Sequence, residues 1–232
     1  MIKVRRAEER GKTRTGWLDS RHTFSFGDYH DSQYMGFSHL RVINEDRVTP
    51  GAGFGTHSHH DMEIITYVLE GALAHKDSTG TSSVIHVGDV QRMSAGTGIS
   101  HSEYNASQTE PVHFLQIWII PNEMGLTPAY EQRSFELEKN RGKWIPVVTP
   151  SGGDGTVTVH QDIELVVAVL NAGQQLSYPL KPRRHVWLQV ARGGVSVNGT
   201  ALNEGDGAVI GEEEIPEIKA VAAAEVLIFD LR

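Results

Sequence analysis

The hydrophobic residues of this chain come in short, β-rich runs closed by turn residues, and that pattern limits the fold more than any other feature. The runs are Ile64 to Leu69, Val84 to Val87, Phe114 to Ile120, Leu165 to Leu170, Val186 to Val190 and Val226 to Leu231, separated by Gly, Asp, Asn and Ser. Runs of this length and spacing predict an all-β sandwich or barrel rather than βαβ units. One segment reads as helix: Pro128 to Lys139, where Pro128 suits a first turn and charged residues follow, so a connector between two halves is expected there. With 232 residues, each half is long enough to bury its own core. The division expected is a first domain over residues 1–132 and a second over 133–232.

The halves share a grammar when aligned on their first turn glycines. Tyr67-Val-Leu-Glu-Gly71 and Val87-Gly-Asp-Val90 correspond to Gln189-Val-Ala-Arg-Gly193-Gly194 and Glu204-Gly-Asp-Gly207, the mark of an internal duplication.

Charge and composition remove several functions. Lysine and arginine number 21 against 29 acidic residues, and a net charge of −8 offers no long-range attraction to phosphate backbones or anionic lipid, so neither nucleic acid nor membrane is an expected partner. The basic residues near the start (Lys3, Arg5, Arg6, Arg10, Lys12, Arg14) and the Lys181 to Arg184 cluster read as solvated surface. Cysteine is absent, which excludes disulfides, thiolate metal sites and a cysteine nucleophile. The opening MIKVRRAEERGK lacks the apolar core of a signal peptide, so a cytoplasmic location is expected.

Chemistry is concentrated in two short segments. In Gly51-Ala-Gly-Phe-Gly-Thr-His57-Ser-His59-His60-Asp61-Met62-Glu63 two histidines stand two apart, which on a strand puts both imidazoles on one face. In Ser94-Ala-Gly-Thr-Gly-Ile-Ser-His101-Ser-Glu103 a histidine and a carboxylate repeat that spacing. Two such strands meeting inside a barrel supply four inward ligands. Three imidazoles and one carboxylate, with no sulfur, suit Fe(II), Mn, Ni, Cu or Zn. His60 breaks the alternation and reads as a supporting or surface residue. Glu63 is in phase with the histidines on a continuous strand, and its role stands open between ligand and structure. The other histidines, among them His75, His160 and His185, lack a partner at ligand spacing and read as structural.

These residues carry a family resemblance. Gly51-x5-His57-x-His59-x3-Glu63 followed by Gly71 is similar to the first cupin motif, one residue longer than usual between Glu63 and Gly71. Gly88-x5-Ser94-x-Gly96 followed by His101-x3-Asn105 is similar to the second, with serine for the usual proline. With Thr23 to Tyr29 and Gly36 to Asn44, they make the chain resemble a pirin, a tandem-cupin protein. The resemblance implies one divalent transition metal per chain held by His57, His59, His101 and Glu103, iron(II) first, with Mn, Ni, Cu, Co or Zn as alternatives.

Several bacterial pirins are quercetin 2,3-dioxygenases, so the activity implied is oxidation of a flavonol by O₂ with loss of carbon monoxide. Glu103, the acidic member of the set, is then expected to take the substrate's proton as well as bind the ion. The cavity should be mostly apolar, with Phe24, Phe26, Phe37, Phe54, Met62 and Phe114 as candidates for its walls or for ordinary core. Other pirins are metal-dependent regulators, which leaves a protein partner without turnover as the second reading. Carried by offset from the turn glycines into the second half, the ligand positions reach Leu180 and Pro182 (or Pro179 and Lys181), Ile218 and Ala220, so that half is expected to bind no metal.

Overall fold

The computed structural model describes residues 2–211 and 216–232. In chain order the strands of the first half are β1 (Ile2–Arg5), β2 (Gly11–Arg14), β3 (Leu18–His22), β4 (Leu40–Val48), β5 (Gly53–His59), β6 (Glu63–Glu70), β7 (Ala72–Asp77), β8 (Ser82–His86), β9 (Asp89–Ser94), β10 (Ile99–Asn105), β11 (Val112–Ile119) and β12 (Ala129–Ser134). Those of the second are β13 (Ile145–Thr149), β14 (Val157–Thr158), β15 (Ile163–Leu170), β16 (Gln175–Ser177), β17 (His185–Arg192), β18 (Gly194–Val197), β19 (Thr200–Asn203), β20 (Gly207–Ile210), β21 (Glu217–Ala220) and β22 (Ala224–Leu231). Among the described residues there are short 3₁₀ turns and no α-helix, and no helix is long and apolar enough to cross a membrane.

The expected connector helix is absent. Residues Ala129–Ser134 form a strand antiparallel to Asp89–Ser94, and helical geometry is confined to one turn at Glu138–Asn140. The open edge of β9 offers six residues of backbone pairing that an isolated, charge-rich helix could not match.

Two compact units are present, and neither is one continuous stretch: one comprises Gly11–Phe135 with Val157–Gln161, the other Met1–Arg10, Glu136–Thr156 and Asp162–Arg232. A single cut at 132/133 leaves out this exchange. Its physical reason is edge pairing: β1 runs antiparallel to β20, Ile2 opposite Ile210, and Arg6 donates to the buried carboxylate of Asp206 at 2.8 Å.

Each unit is built the same way. In the first, one sheet runs β12-β9-β6-β11-β4-β3-β2 and a smaller one β5-β10-β7-β8; in the second, the corresponding orders are β1-β20-β17-β22-β15-β13 and β16-β21-β18-β19. The duplication read from the turn glycines therefore extends to six strands of the larger sheet and all four of the smaller. Even a register slip is repeated, between His113 and Phe114 where β11 pairs β6 and between Val190 and Arg192 where β17 pairs β22.

The sheets of the first unit close over Val48, Val68, Leu73, Ile85, Val112 and Phe114. Above that layer the inward alternation turns polar. Gln91, Thr66, Gln116, Asn44 and His22 lie opposite one another in a row across five strands. In the second unit the same row is apolar: Ala208, Leu188, Ile228 and Val166 occupy the places of Gln91, Thr66, Gln116 and Asn44. These join a larger continuous core with Val186, Val190, Val195, Val226 and Ile218. A buried polar row is costly unless its groups are paired, so its presence in one unit marks a site.

Candidate metal centre

β5 and β10 are antiparallel, with His101 opposite His57 and Ile99 opposite His59. Alternation then turns His57, His59, His101 and Glu103 to the interior. A register shift between His101 and Glu103 pairs Glu103 with Phe54. Gly53 allows the approach: a Cβ there would lie 2.3 Å from the Glu103 carbonyl oxygen and 2.5 Å from the Tyr104 Cα.

One ligand atom from each of His57, His59 and His101 lies within 4.8 Å of the others. The ring centroids are 4.4 to 4.9 Å apart. His57 donates Nδ1–H to the Gly55 carbonyl at 2.8 Å, which leaves its Nε2 lone pair free for an ion. His101, 2% exposed, has no hydrogen-bond partner at either ring nitrogen. Burial, reinforced by the neighbouring imidazoles, pushes His59 down to about 4 and His101 down to about 3, so the rings are neutral at pH 7. Neutral, converging, unpartnered imidazole nitrogens fit a divalent transition metal.

Glu103 is grouped differently. It lies within the same 4.8 Å limit of His101 and His75, not of His57 and His59. Strand register sets it opposite His75, and Gln116 Nε2 donates to both of its carboxylate oxygens at 2.8 and 3.0 Å. Thr66 Oγ1 in turn donates to Gln116 Oε1 at 3.0 Å, which fixes the amide with its NH₂ toward Glu103. Burial raises the Glu103 pKa, and the Gln116 hydrogen bond works against that rise.

His75, expected to be structural, stands beside the cluster. It is opposite Glu103 on β7, its ring is 5.3 Å from that of His101, and its Nε2 bonds Asp77 Oδ2 at 2.9 Å. Tyr130 of β12 packs on its other side at 5.0 Å. The signal in the sequence was His75-Lys76-Asp77, a histidine and a carboxylate at the same strand spacing as the other pairs.

Glu63 is drawn away from the site. It is 1% exposed, accepts from the His160 backbone N–H at 3.1 Å and lies 3.1 Å from His160 Nδ1, with Arg92 at 3.8 Å. His60 is exposed and lies over Gly98.

His57, His59 and Glu103 open onto a cavity of about 270 Å³ whose walls include Leu18, Phe26, Phe54, Trp118, Ser20, His22, Asn44 and Asp46. Of the six expected apolar wall candidates, Phe26 and Phe54 line it, while Phe24 and Phe114 are buried core, Met62 packs with Ile64 and Met93, and Phe37 bridges to Leu40 outside the cavity lining. Trp118, which sequence reasoning missed, stands edge-on to His59 at 5.0 Å and to Phe26 at 5.3 Å.

At the equivalent places in the second unit the strand registers put Tyr178, Leu180, Pro216 and Ile218. The expected offsets are thus two residues too long on β21. Tyr178 donates to Asp230 Oδ2 at 2.8 Å, and Arg184 Nε donates to Asp230 Oδ1 at 2.5 Å, a closed polar group in place of converging imidazoles.

Two β-sandwich units of this order, one with a histidine triad that could hold a metal ion, define a two-domain cupin metalloprotein. The Pirin family model matches residues 3–119, and the model described as the quercetinase C-terminal cupin domain matches residues 146–231. The Escherichia coli (strain K12) protein called quercetin 2,3-dioxygenase is 51% identical over 231 residues, covering 100% of this chain and 99% of its own. A Pasteurella multocida protein called putative quercetin 2,3-dioxygenase is 43% identical with full coverage of both chains. The crystal structure of YhhW from Escherichia coli superposes with a TM-score of 0.95 at 50% identity, covering 100% and 98% of the two chains. That of the bacterial pirin YhhW in complex with nickel(II) gives 0.94 at 49% identity, covering 100% and 99%. The chain belongs to the pirin family.

Proposed function

We propose that this chain is a quercetin 2,3-dioxygenase whose single divalent metal is held by His57, His59, His101 and Glu103. The observation that carries the reading is the opening of three of these four side chains onto an aromatic-walled cavity, in a chain aligned end to end with a quercetin 2,3-dioxygenase. Iron(II) is the ion we favour, with Mn, Ni, Cu, Co or Zn as alternatives. The second unit, with Tyr178, Leu180, Pro216 and Ile218 at the equivalent positions, carries structure and no metal.

When bound, the ion supplies Lewis acidity that favours the deprotonated 3-hydroxyl of a flavonol. Glu103 accepts that proton, and Gln116, anchored by Thr66, holds the carboxylate for the transfer. Phe26, Phe54 and Trp118 offer flat apolar surface to the planar rings and exclude water from them. The flavonolate reacts with one O₂, both oxygen atoms entering the ring-opened ester while one ring carbon leaves as carbon monoxide.

The test is quercetin and O₂ consumption by protein loaded separately with Fe(II), Mn(II), Ni(II), Cu(II) and Co(II). Stoichiometric loss of flavonol absorbance, O₂ uptake and carbon monoxide release is expected with at least one metal. No turnover with any of them overturns the dioxygenase reading and leaves the regulatory one.

A further inference from the structure

The cavity holds a buried carboxylate that the proposed chemistry does not use. Asp46 lies on β4 between Ser20 of β3 and Phe114 of β11, lines the cavity with Glu103, and is 4% exposed. Its Oδ1 is buried without a hydrogen-bond partner, while the Ser20 hydroxyl is a hydrogen-bond partner of the side chain. An unpaired buried polar atom costs free energy, and one facing a ligand cavity regains it when the ligand brings a partner.

The neighbouring polar groups are already paired. His22 shares one ring nitrogen with Thr13 Oγ1 at 2.8 Å and the other with Asn44 Oδ1 at 2.8 Å. Asp28, another carboxylate on the cavity wall, is exposed. Asp46 sits diagonally across the β4–β11 pair from Gln116, a separation of about 7–8 Å for such positions, so it stands one row along the cavity wall from the Gln116–Glu103 pair.

We infer that Asp46 is a specificity residue: it hydrogen-bonds a phenolic hydroxyl on the part of the flavonol away from the 3-hydroxyl. A phenol both donates and accepts, so it satisfies the Asp46 carboxyl in either protonation state. Leu18, Phe26 and Phe54 line the same cavity and supply no competing hydrogen bond from their side chains. The inference rests on the flavonol reading above and adds which ligand feature is selected.

The test is anaerobic titration of the nickel(II)-loaded protein with quercetin and with 3-hydroxyflavone, which keeps the 3-hydroxyl and 4-carbonyl but has no other hydroxyl. Wild type is expected to bind quercetin at least on the order of tenfold more tightly, as a site built around a hydroxyl does. Asp46→Leu should erase most of that preference by weakening quercetin while leaving 3-hydroxyflavone within about threefold; Asp46→Asn, which still hydrogen-bonds, should retain most of it. Equal wild-type affinity for the two ligands overturns the inference without any variant, and so does an equal loss of both ligands in Asp46→Leu. If metal-loaded wild type binds neither flavonol, the flavonol reading itself falls and takes this inference with it.

Discussion

Gln116 donates its side-chain amide to both carboxylate oxygens of Glu103, at 2.8 and 3.0 Å, from the opposite sheet of the barrel. Glu103 is therefore held by a neighbour that is no metal ligand. Replacing Gln116 by Leu should leave most of the bound metal in place and lower kcat for quercetin by roughly tenfold to a hundredfold, the scale of one hydrogen bond to a charged group. Elemental analysis beside steady-state kinetics checks both halves. Loss of metal in parallel with activity would mean that Gln116 supports binding of the ion rather than proton transfer.

The histidine triad makes its own prediction. Changing His57, His59 or His101 to Ala should reduce bound metal to less than about a tenth of an equivalent, because three nitrogen donors are needed to complete the site. His160→Ala and His185→Ala should keep full occupancy: His160 is engaged with Glu63, and His185 begins β17 in the other unit. Elemental analysis of folded variants decides the matter.

His75 is expected to act through the cluster. Its removal as His75→Ala should weaken metal affinity about tenfold to a hundredfold, the usual effect of a group that orients metal ligands. Competition with a chelator of known affinity measures this. An unchanged affinity would reduce the His75–Asp77 pair to core structure.

Asp46 gives a pH signature. Burial, opposed by the Ser20 hydrogen bond and aided by the Glu103 and Glu45 charges, pushes it up to about 7. The folded state then binds more protons than the unfolded one between about pH 4 and 7, so this residue's contribution to stability falls as pH rises through that window and is lowest above it. Asp46→Asn should accordingly stabilise the metal-free protein by roughly 2 kcal/mol at pH 8 and by much less at pH 4.5. His59 and His101 act with the opposite sign, losing stability as pH falls below about 6.5, but they cancel in the comparison of the two proteins. A stability difference that does not change with pH would show that Asp46 titrates normally.

What could be read from the sequence follows from what is local. His57 with His59 and His101 with Glu103 were legible because a period of two places each pair on one strand face. Gln116 and Thr66 were not, because what makes them functional is the register of β11 against β6 and the packing of that sheet over Glu103, which no local spacing encodes; His75 carried its pair spacing with Asp77, but only the register of β7 against β10 sets it opposite Glu103. The same limit explains the second unit: the offsets from Gly205 overshot by two, and strand pairing assigns Ile218 to the place of Glu103 rather than of His101. Ala129–Ser134 misled for a different reason. Its side chains are half-buried or exposed along an edge, so neither face supplies an apolar rhythm, and its charged residues imitate a surface helix. Residues Ile2–Arg5 form too short a run to announce that their partner strand lies some 200 residues on.

The most direct test of the account compares carbon monoxide release from quercetin by wild type and by Glu103→Gln, both fully loaded with the metal that supports the fastest wild-type turnover. Glutamine keeps the size and an oxygen donor but cannot take the proton. The account predicts that the wild type releases carbon monoxide in step with flavonol loss and that the variant does so slower by on the order of 10² or more, the scale of general-base catalysis. Equal rates at equal metal occupancy would contradict it.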